Sequence, residues 1–409
     1  MSPPPPAVRR ALLILGATAL AAAWIFAALR LWRTTVPSDL PLPNLDPHEF
    51  FTDAQLDRAS SYEAFLRVDA LLGSLAAVLA TGLFAVRGAR FVRESAAGRI
   101  GTGMLLGMLG LAFVWLAQFP FGLAALWWER KHDVSNLDYV SWIVNDFLSA
   151  GGEFLFICLA LLIVMALAAV WRRAWWVAAV PALLAVTLLF AFAQPYLLPD
   201  LHPLNDPALE AEAQQLAADE GVSGTPVRVQ DTHNLGGSPN AEATGLDGSR
   251  RVIVWDTLLR RFPPSEVRVV LAHEFGHLAH DHVLKGLAWG GLLAIPIALI
   301  VALATRRRGG IYEPTAVPLA LFIVVALLFV ASPLQNAYSR RLESEADWSA
   351  LQATHEPAAA KALFRRFTRV ARVQPTSPGW ATLMLENHPT IMQRIEMADA
   401  WRRLHPTTP

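Results

Sequence analysis

Long apolar runs alternate with polar stretches along the whole chain. A helix needs about 20 apolar residues to cross the hydrocarbon core of a bilayer, and seven runs are long enough. They lie near residues 11–32, 69–88, 102–127, 149–171, 174–197, 286–304 and 315–334. Because backbone polar groups in lipid must be satisfied within the segment, we expect seven membrane-spanning helices. The first run exceeds the core of a signal peptide, so we interpret it as a retained membrane helix.

The runs divide the chain into four parts. Residues 1–197 form an N-terminal membrane region with five spans, and residues 285–334 hold two more. Residues 198–284 and 335–409 are the two polar parts. In the first of them, the segment ALEAEAQQLAADEGV is typical of a helix that stops at glycine. TPVRVQDT, NAEATGL and RRVIVWDTLL are typical of strands, and SEVRVVLAHEFGHLAHDH is typical of a helix with Ser265 as N-cap. The fold class expected is a mainly α polytopic membrane protein with a small α+β domain.

Composition excludes several classes of protein. Hydrophobic residues make up 54% of the chain and charged residues only 17%, against about 25% charged in soluble domains. The formal net charge is zero, which gives no indication of a nucleic-acid partner. Cys158 is the sole cysteine of the sequence, so neither an intramolecular disulfide nor a thiolate metal cluster can form.

The segment LAHEFGHLAHDH at 271–282 carries the candidate chemistry. It contains H-E-x-x-H, which on a helix places His273 and His277 one turn apart on the same face. Both imidazoles can then reach one zinc ion, with Glu274 beside them as general base for a zinc-activated water. His280 lies about 10 Å from His273 along a continuous helix, too far to share the ion. The pattern indicates metal-assisted hydrolysis, although H-E-x-x-H also occurs by chance in unrelated helices.

The third ligand must come from elsewhere in the chain. In SRRLESEADWSAL, Glu343 and Asp347 are four residues apart and share one helix face, whereas Glu345 points away from it. Glu343 would complete a His2Glu site, and Asp347 would accept a hydrogen bond from a ligating imidazole. The alternative for this segment is an acidic helix start in contact with solvent. His280 and His282 are expected to be polar neighbours of the site and not ligands.

With further motifs, the chain resembles the Ste24-type (CAAX prenyl protease) zinc metalloproteases of peptidase family M48, which are related to the HtpX proteases. HNLGGSPNAEATG resembles the substrate-strand segment of that family, with its Asn-Ala pair at Asn240 and Ala241. ENHPTIMQRIE resembles its C-terminal His-Pro motif, with His388 followed by Arg394. The zinc helix and SRRLESEAD match as well. The chain lacks the aromatic residues that the family often carries after Asn-Ala.

The resemblance implies a ring of seven helices around an intramembrane chamber, closed at one end by a gluzincin-like zinc domain. Asn240 and Ala241 would hold the substrate backbone along an edge strand. His388 would donate a hydrogen bond to the oxyanion. Arg394 would pair with carboxylates near the site or with the substrate; a purely structural salt bridge is the alternative. Polar residues within the spans, such as Glu153, fit either the chamber or the membrane interface.

The function expected is that of an integral-membrane zinc endopeptidase acting on peptides or membrane proteins in the lipid bilayer. One alternative is an HtpX-like quality-control protease, although five spans before the zinc helix favour the Ste24 type. Another is an inactive seven-span transporter or receptor-like protein, which predicts a broken motif. The sequence indicates no prenyl pocket. It leaves the oligomeric state open, and a monomer is compatible with it.

The sequence gives two opposite indications of the side of the membrane on which the zinc domain lies. With the N-terminus inside, the cytoplasmic arginines are Arg9, Arg10, Arg87, Arg90, Arg93, Arg99, Arg172, Arg173 and Arg306–Arg308. The positive-inside rule then places the zinc domain outside the cytoplasm. The family resemblance implies a cytoplasmic zinc domain. We take the arginine count, which is read from this chain, as the prediction.

Overall fold

The structure is a computed structural model that describes residues 5–91, 98–232 and 239–406. Its helices are α1 (Pro6–Leu31), α2 (Asp53–Arg87), α3 (Gly98–Lys131), α4 (Tyr139–Trp171), α5 (Trp175–Leu197), α6 (Pro207–Asp219), α7 (Asp256–Arg261), α8 (Pro264–Ala279), α9 (His282–Thr305), α10 (Val317–Thr354), α11 (Pro357–Val370), α12 (Gly379–Met384) and α13 (Ile391–Leu404). Its strands are β1 (Leu201–Pro203), β2 (Val227–Gln230), β3 (Ala241–Thr244) and β4 (Arg251–Trp255). The chain is therefore mainly helical, as predicted.

Seven of the described helices are long and apolar enough to cross a membrane, namely α1 to α5, α9 and α10. This confirms the predicted number of spans and a multi-pass membrane protein. Several of these helices are longer than the apolar runs: α2 begins at Asp53 and has 35 residues, whereas its run begins near residue 69. At 1.5 Å per residue α2 is about 52 Å long, so it continues well beyond a hydrocarbon core of about 30 Å.

The long helices form a closed ring. Following the contacts, α2 packs against α3, α3 against α4, α4 against α5, α5 against α9, α9 against α10, and α10 against α2, while α1 lies beside α9. At the end remote from the sheet, small residues of α3 let its neighbours approach closely. A Cβ on Gly107 would lie 2.4 Å from Leu161 Cδ2, and one on Gly110 would lie 2.5 Å from Leu321 Cδ2. The ring is therefore tightly packed at that end.

The interior of the ring contains cavities. One of about 560 Å³ is lined almost entirely by apolar side chains of α3, α4, α5, α9 and α10. Another of about 360 Å³ lies between α2, α3 and α4, and it is lined by Asp69, Asp146 and Glu153 among others. Glu153 lines this second cavity and is exposed there. These helices enclose the chamber, and the small α+β domain caps its other end.

The sheet has the order β1-β2-β4-β3, with β2 parallel to β4 and the other pairs antiparallel. The three predicted strands are present, and β1 is an additional short one. Among the described residues, β3 pairs only with β4 and is an edge strand. The core beneath the sheet joins residues of β4, α8, α11 and α13, including Val254, Phe275, Phe364 and Trp401. Residues on both sides of the last two spans therefore share one hydrophobic core.

Two local features position the candidate site. α8 begins at Pro264, with Pro263 and not Ser265 as N-cap; the prediction of Ser265 was wrong because proline suits the first helical position, where no backbone N–H is needed. α8 ends at Ala279, and Asp281 takes a left-handed conformation with φ of 52° before α9 starts at His282. This break turns His282 back toward α8.

Candidate active site

Close packing of α8 on α10 brings the predicted ligands together. Gly276, inside the HEFGH segment, faces α10, and a Cβ at this position would lie 2.9 Å from Ser349 Cβ and 3.4 Å from Ala346 Cα. Only a residue without a side chain permits this approach. Gly276 lies three residues after His273 and directly before His277, and Ala346 lies three residues after Glu343, so the three side chains meet.

The geometry of these three residues fits a single metal ion. His273 Nε2 is 3.0 Å from His277 Nε2, and the Glu343 oxygens lie 3.4 Å from His273 Nε2 and 3.6 Å from His277 Nε2. Ligands 2.0–2.1 Å from a tetrahedral zinc ion are about 3.3 Å apart. Glu343 Oε2 is buried and makes no hydrogen bond with any described residue. Two imidazoles and a carboxylate are donors that zinc prefers.

The other nitrogen of His273 faces a buried ion pair. His273 Nδ1 lies 3.0 Å from Asp347 Oδ1, and Arg394 donates from Nε to Asp347 Oδ2 at 2.8 Å and from a terminal nitrogen to Oδ1. The Arg394 guanidinium also lies 4.3 Å from the centre of the Phe364 ring. Asp347 thus lies behind His273, one of the candidate ligands. Arg394 is held by Asp347, which corresponds to the predicted pairing with carboxylates near the site.

His277 is oriented by a second set of residues. Its Nδ1 lies 2.8 Å from His282 Nδ1, and His282 Nε2 lies 2.9 Å from Glu345 Oε2. When His277 Nδ1–H donates to His282 and His282 Nε2–H donates to Glu345, His277 Nε2 keeps a free lone pair for a metal. Glu345 also accepts hydrogen bonds from Lys285 Nζ at 3.0 Å and from the Thr35 backbone N–H at 2.6 Å.

Glu274 lies between the candidate ligands and the edge strand. Its side chain is buried, and its carboxylate accepts a hydrogen bond from the backbone N–H of Ala243 in β3. Just before β3, the carbonyl of Asn240 accepts a hydrogen bond from the backbone N–H of Trp255 in β4. Because bonding alternates along an antiparallel pair, the backbone groups of Ala241 and Ala243 point away from β4 and toward the site. Asn240 itself is exposed at the start of the strand.

Burial and neighbouring charges shift the pKa values of the α8 residues. Burial raises the pKa of Glu274 to about 7. Burial lowers the pKa of His277 to about 3, so this imidazole is neutral at physiological pH. Burial would also lower the pKa of His273, but its contacts with Asp347 and Glu343 outweigh burial and raise the pKa to about 10. The pocket around His273 therefore has surplus negative charge, which attracts a cation.

His388 approaches the same centre from the C-terminal region. Its Nε2 lies 3.3 Å from Glu343 Oε2, and its Nδ1 lies 2.8 Å from Asn387 Oδ1. The loop before it is held from two helices. Arg67 of α2 donates to Glu386 Oε1, and Arg340 of α10 donates to the carbonyls of Thr382 and Glu386.

These residues line one cleft of about 440 Å³, which we call the catalytic cleft. All nine predicted site residues line it: Asn240, Ala241, His273, Glu274, His277, Glu343, Asp347, His388 and Arg394. Part of the predicted substrate-strand segment, residues 233–238, lies outside the described residues. Arg93, counted for membrane orientation, lies outside them as well.

Sequence reasoning did not find several residues around the cleft. Glu345 points away from the ligand face, as expected, but it is buried and supports His282. Only the break at Asp281 makes this contact possible, and no motif marks the break. Glu242 lines the cleft beside Ala241. Arg67 lies just before the apolar run near residue 69, so hydropathy gave no reason to connect it with His388.

Comparison with known proteins relates the chain to metalloproteases. The model of peptidase family M48 matches residues 203–402. Of the curated relatives, the uncharacterized metalloprotease YhfN of Bacillus subtilis is 26% identical over 282 residues, which cover 66% of each chain. A protease HtpX homolog of Acidiphilium cryptum is 30% identical over 212 residues, 46% of this chain and 72% of the relative. This chain spans 63–66% of the length of the first curated relatives that it matches.

A solved structure extends the likeness to the membrane region. The crystal structure of S. mikatae Ste24p superimposes with a TM-score of 0.73 at 17% sequence identity, covering 93% of this chain and 97% of that chain. At this identity the likeness establishes the fold alone. Together with the family match over the polar parts and the HtpX relative, these findings establish that the chain belongs to peptidase family M48.

Proposed function

We propose that the chain is an integral-membrane, zinc-dependent endopeptidase. The observation that carries the proposal is the meeting of His273, His277 and Glu343 at distances that suit one ion, with Glu274 adjacent and the edge strand β3 beside it. In this proposal residues 198–284 and 335–409 form one catalytic unit that is divided in sequence by two spans.

His273, His277 and Glu343 would hold the ion. Zinc, when bound, supplies a Lewis acid that polarises the scissile carbonyl and activates water near neutral pH. Asp347 would fix His273, and His282 would fix His277. Arg394, also expected among the substrate contacts, would act through Asp347 by keeping its carboxylate ionised and in place.

The remaining residues would handle protons and substrate. Glu274 would take a proton from the attacking water and pass it to the leaving amine, a role that suits a carboxylate with a pKa of about 7. The backbone groups of Ala241, which point away from β4, would bond a peptide added as a further strand, with Asn240 at its entrance. His388 would donate a hydrogen bond to the oxyanion as it forms.

The test compares the purified protein with Glu274→Gln and with a remote control, Glu210→Gln on α6. Bound zinc is measured by mass spectrometry, and cleavage is followed on a peptide panel that includes prenylated and unprenylated members. We expect about one zinc per chain in all three proteins and cleavage by all but Glu274→Gln. A wild-type protein that binds no zinc would refute the ligand assignment. Equal cleavage by Glu274→Gln would refute its role as base.

A second candidate function is quality control of membrane proteins, as in an HtpX-like protease. The 30% identity with the HtpX homolog of Acidiphilium cryptum favours it. The two functions differ in substrate, so the panel should also contain an unfolded membrane protein and the same protein folded. Selective degradation of the unfolded form, without cleavage of short peptides, would support the second candidate.

A further inference from the structure

Glu242 lies in the edge strand at the catalytic cleft. Its neighbours Ala241 and Ala243 pack on the core beneath the sheet, as do Val252 and Val254 of β4. Because side chains alternate along a strand, the Glu242 side chain projects from the opposite face, which is also the face of Thr244. Thr244 contacts Gln194 of α5. Glu242 therefore projects between the edge strand and the membrane ring.

Its carboxylate differs from the other acids of the cleft. Glu343 faces three imidazoles, Asp347 binds Arg394, and Glu274 accepts from Ala243 N–H. Within residues 5–91, 98–232 and 239–406, no hydrogen bond or ion pair forms with the Glu242 carboxylate. It is half-buried, and burial raises its pKa. A carboxylate removed from water without a partner is costly, and a cation that reached it would be bound favourably.

The geometry of strand addition identifies where such a cation would come from. A peptide bound along the free edge of β3 places one residue directly opposite Glu242, with its side chain on the same face and Cβ atoms about 5 Å apart. Opposite charges favour such a cross-strand pair, and like charges disfavour it. Lysine and arginine have long side chains that can reach a carboxylate at this distance.

We propose that Glu242 is a specificity-determining residue that selects peptides with lysine or arginine opposite it in the added strand. The inference rests on the proposed function, and it narrows the substrate class to peptides with a basic residue close to the scissile bond. The favoured position is fixed by the register on β3 and is the same for all substrates.

The test uses full-length protein and N-acetylated peptides, so that the cation can come only from a side chain. Lysine, norleucine or glutamate is placed at each position near the scissile bond. At one position we expect wild-type kcat/KM to be about tenfold higher for lysine than for glutamate, the size expected for a hydrogen-bonded charge. Glu242→Gln should remove the preference and Glu242→Lys should reverse it, with each kcat/KM taken relative to that of the norleucine peptide for the same variant.

Asp219→Asn, an exposed carboxylate on α6, is the control and should keep the wild-type preference. Binding is measured separately by fluorescence anisotropy in the Glu274→Gln background, which requires no turnover. There the lysine peptide should bind more tightly than the glutamate peptide, and adding Glu242→Gln should abolish the difference. The inference would be overturned if Glu242→Gln left two ratios between the lysine and glutamate peptides unchanged, namely the ratio of their kcat/KM values and the ratio of their affinities. Selective binding without any cleavage by the wild type would support the inference and count against the proposed function.

Discussion

His273 and His277, the two imidazoles of α8 that face Glu343, each have their other nitrogen fixed by a separate set of side chains. His273 faces Asp347, and His277 faces His282. The H-E-x-x-H spacing predicted His273 and His277 as ligands, because helical periodicity places residues four apart on one face. The same spacing predicted that Glu343 and Asp347 share a face, and the presence of the histidine pair favoured Glu343 as the third ligand. The support from His282 and Glu345 was not predictable, since it depends on one residue, Asp281, leaving the helix.

The contact of Asp347 with His273 gives a prediction for the variant Asp347→Asn. The amide keeps the shape of the side chain but loses the charge that faces His273 and Arg394, so zinc affinity should fall about 10- to 100-fold. Competition with a chromophoric chelator measures it. Asp399→Asn removes another carboxylate of low exposure, on α13, which pairs with Lys361 and Arg402 and does not line the cleft. It should leave zinc affinity unchanged; an equal loss in both variants would indicate a general effect on folding.

At the scale of elements, two of the long helices extend beyond the membrane ring and hold the loop before His388. The part of α2 beyond the apolar run carries Arg67, which is buried among Glu63, Gln374, Ser377 and Glu386. α10 carries Arg340, which binds carbonyls of the same loop. Hydropathy located the spans but not their full length, because a helix continues into water wherever packing supports it. Hydropathy therefore could not predict the contact between α2 and the loop before His388.

Removing the α2 contact should disturb His388 and leave the metal ligands intact. For Arg67→Met we expect zinc content to stay at the wild-type level and both kcat and kcat/KM to fall about tenfold or more, as when a transition-state donor loses its position. Zinc analysis and steady-state kinetics measure the two effects. Arg58→Met, at an exposed position on the same helix, should retain wild-type kinetics. A rise in KM alone would mean that Arg67 serves substrate binding and not the placement of His388.

At the scale of the whole molecule, the described arginines of the predicted cytoplasmic set lie at the end of the ring remote from the cleft. Those in the turns after α4 and α9 are Arg172, Arg173 and Arg306–Arg308. The seven spans and the class of fold followed from the sequence because the bilayer imposes length and composition on each helix. The order of helices around the ring did not, since it is set by contacts such as those of the α3 glycines.

Membrane orientation can be measured with cysteine labelling, because the native Cys158 is buried. Ala218→Cys in the capping domain and Arg173→Cys after α4 are exposed positions at opposite ends of the ring. From the positive-inside rule we expect a membrane-impermeant maleimide to label Ala218→Cys in intact spheroplasts and Arg173→Cys only after permeabilisation. The reverse pattern would place the catalytic cleft in the cytoplasm. The unsubstituted protein measures the background at Cys158.

The helix α10 runs without interruption from Val317 to Thr354, through Pro333, and Ser332 Oγ donates to the Phe329 carbonyl that the proline leaves unbonded. This single continuous helix therefore contains both a membrane span and Glu343. A span tilts to match its apolar length to the surrounding lipid. A tilt of α10 would displace Glu343 relative to α8. We therefore expect the rate of turnover to depend on the acyl-chain length of the surrounding lipid. The protein in vesicles of short-chain lipids and in vesicles of long-chain lipids should show unequal specific activities at equal zinc loading.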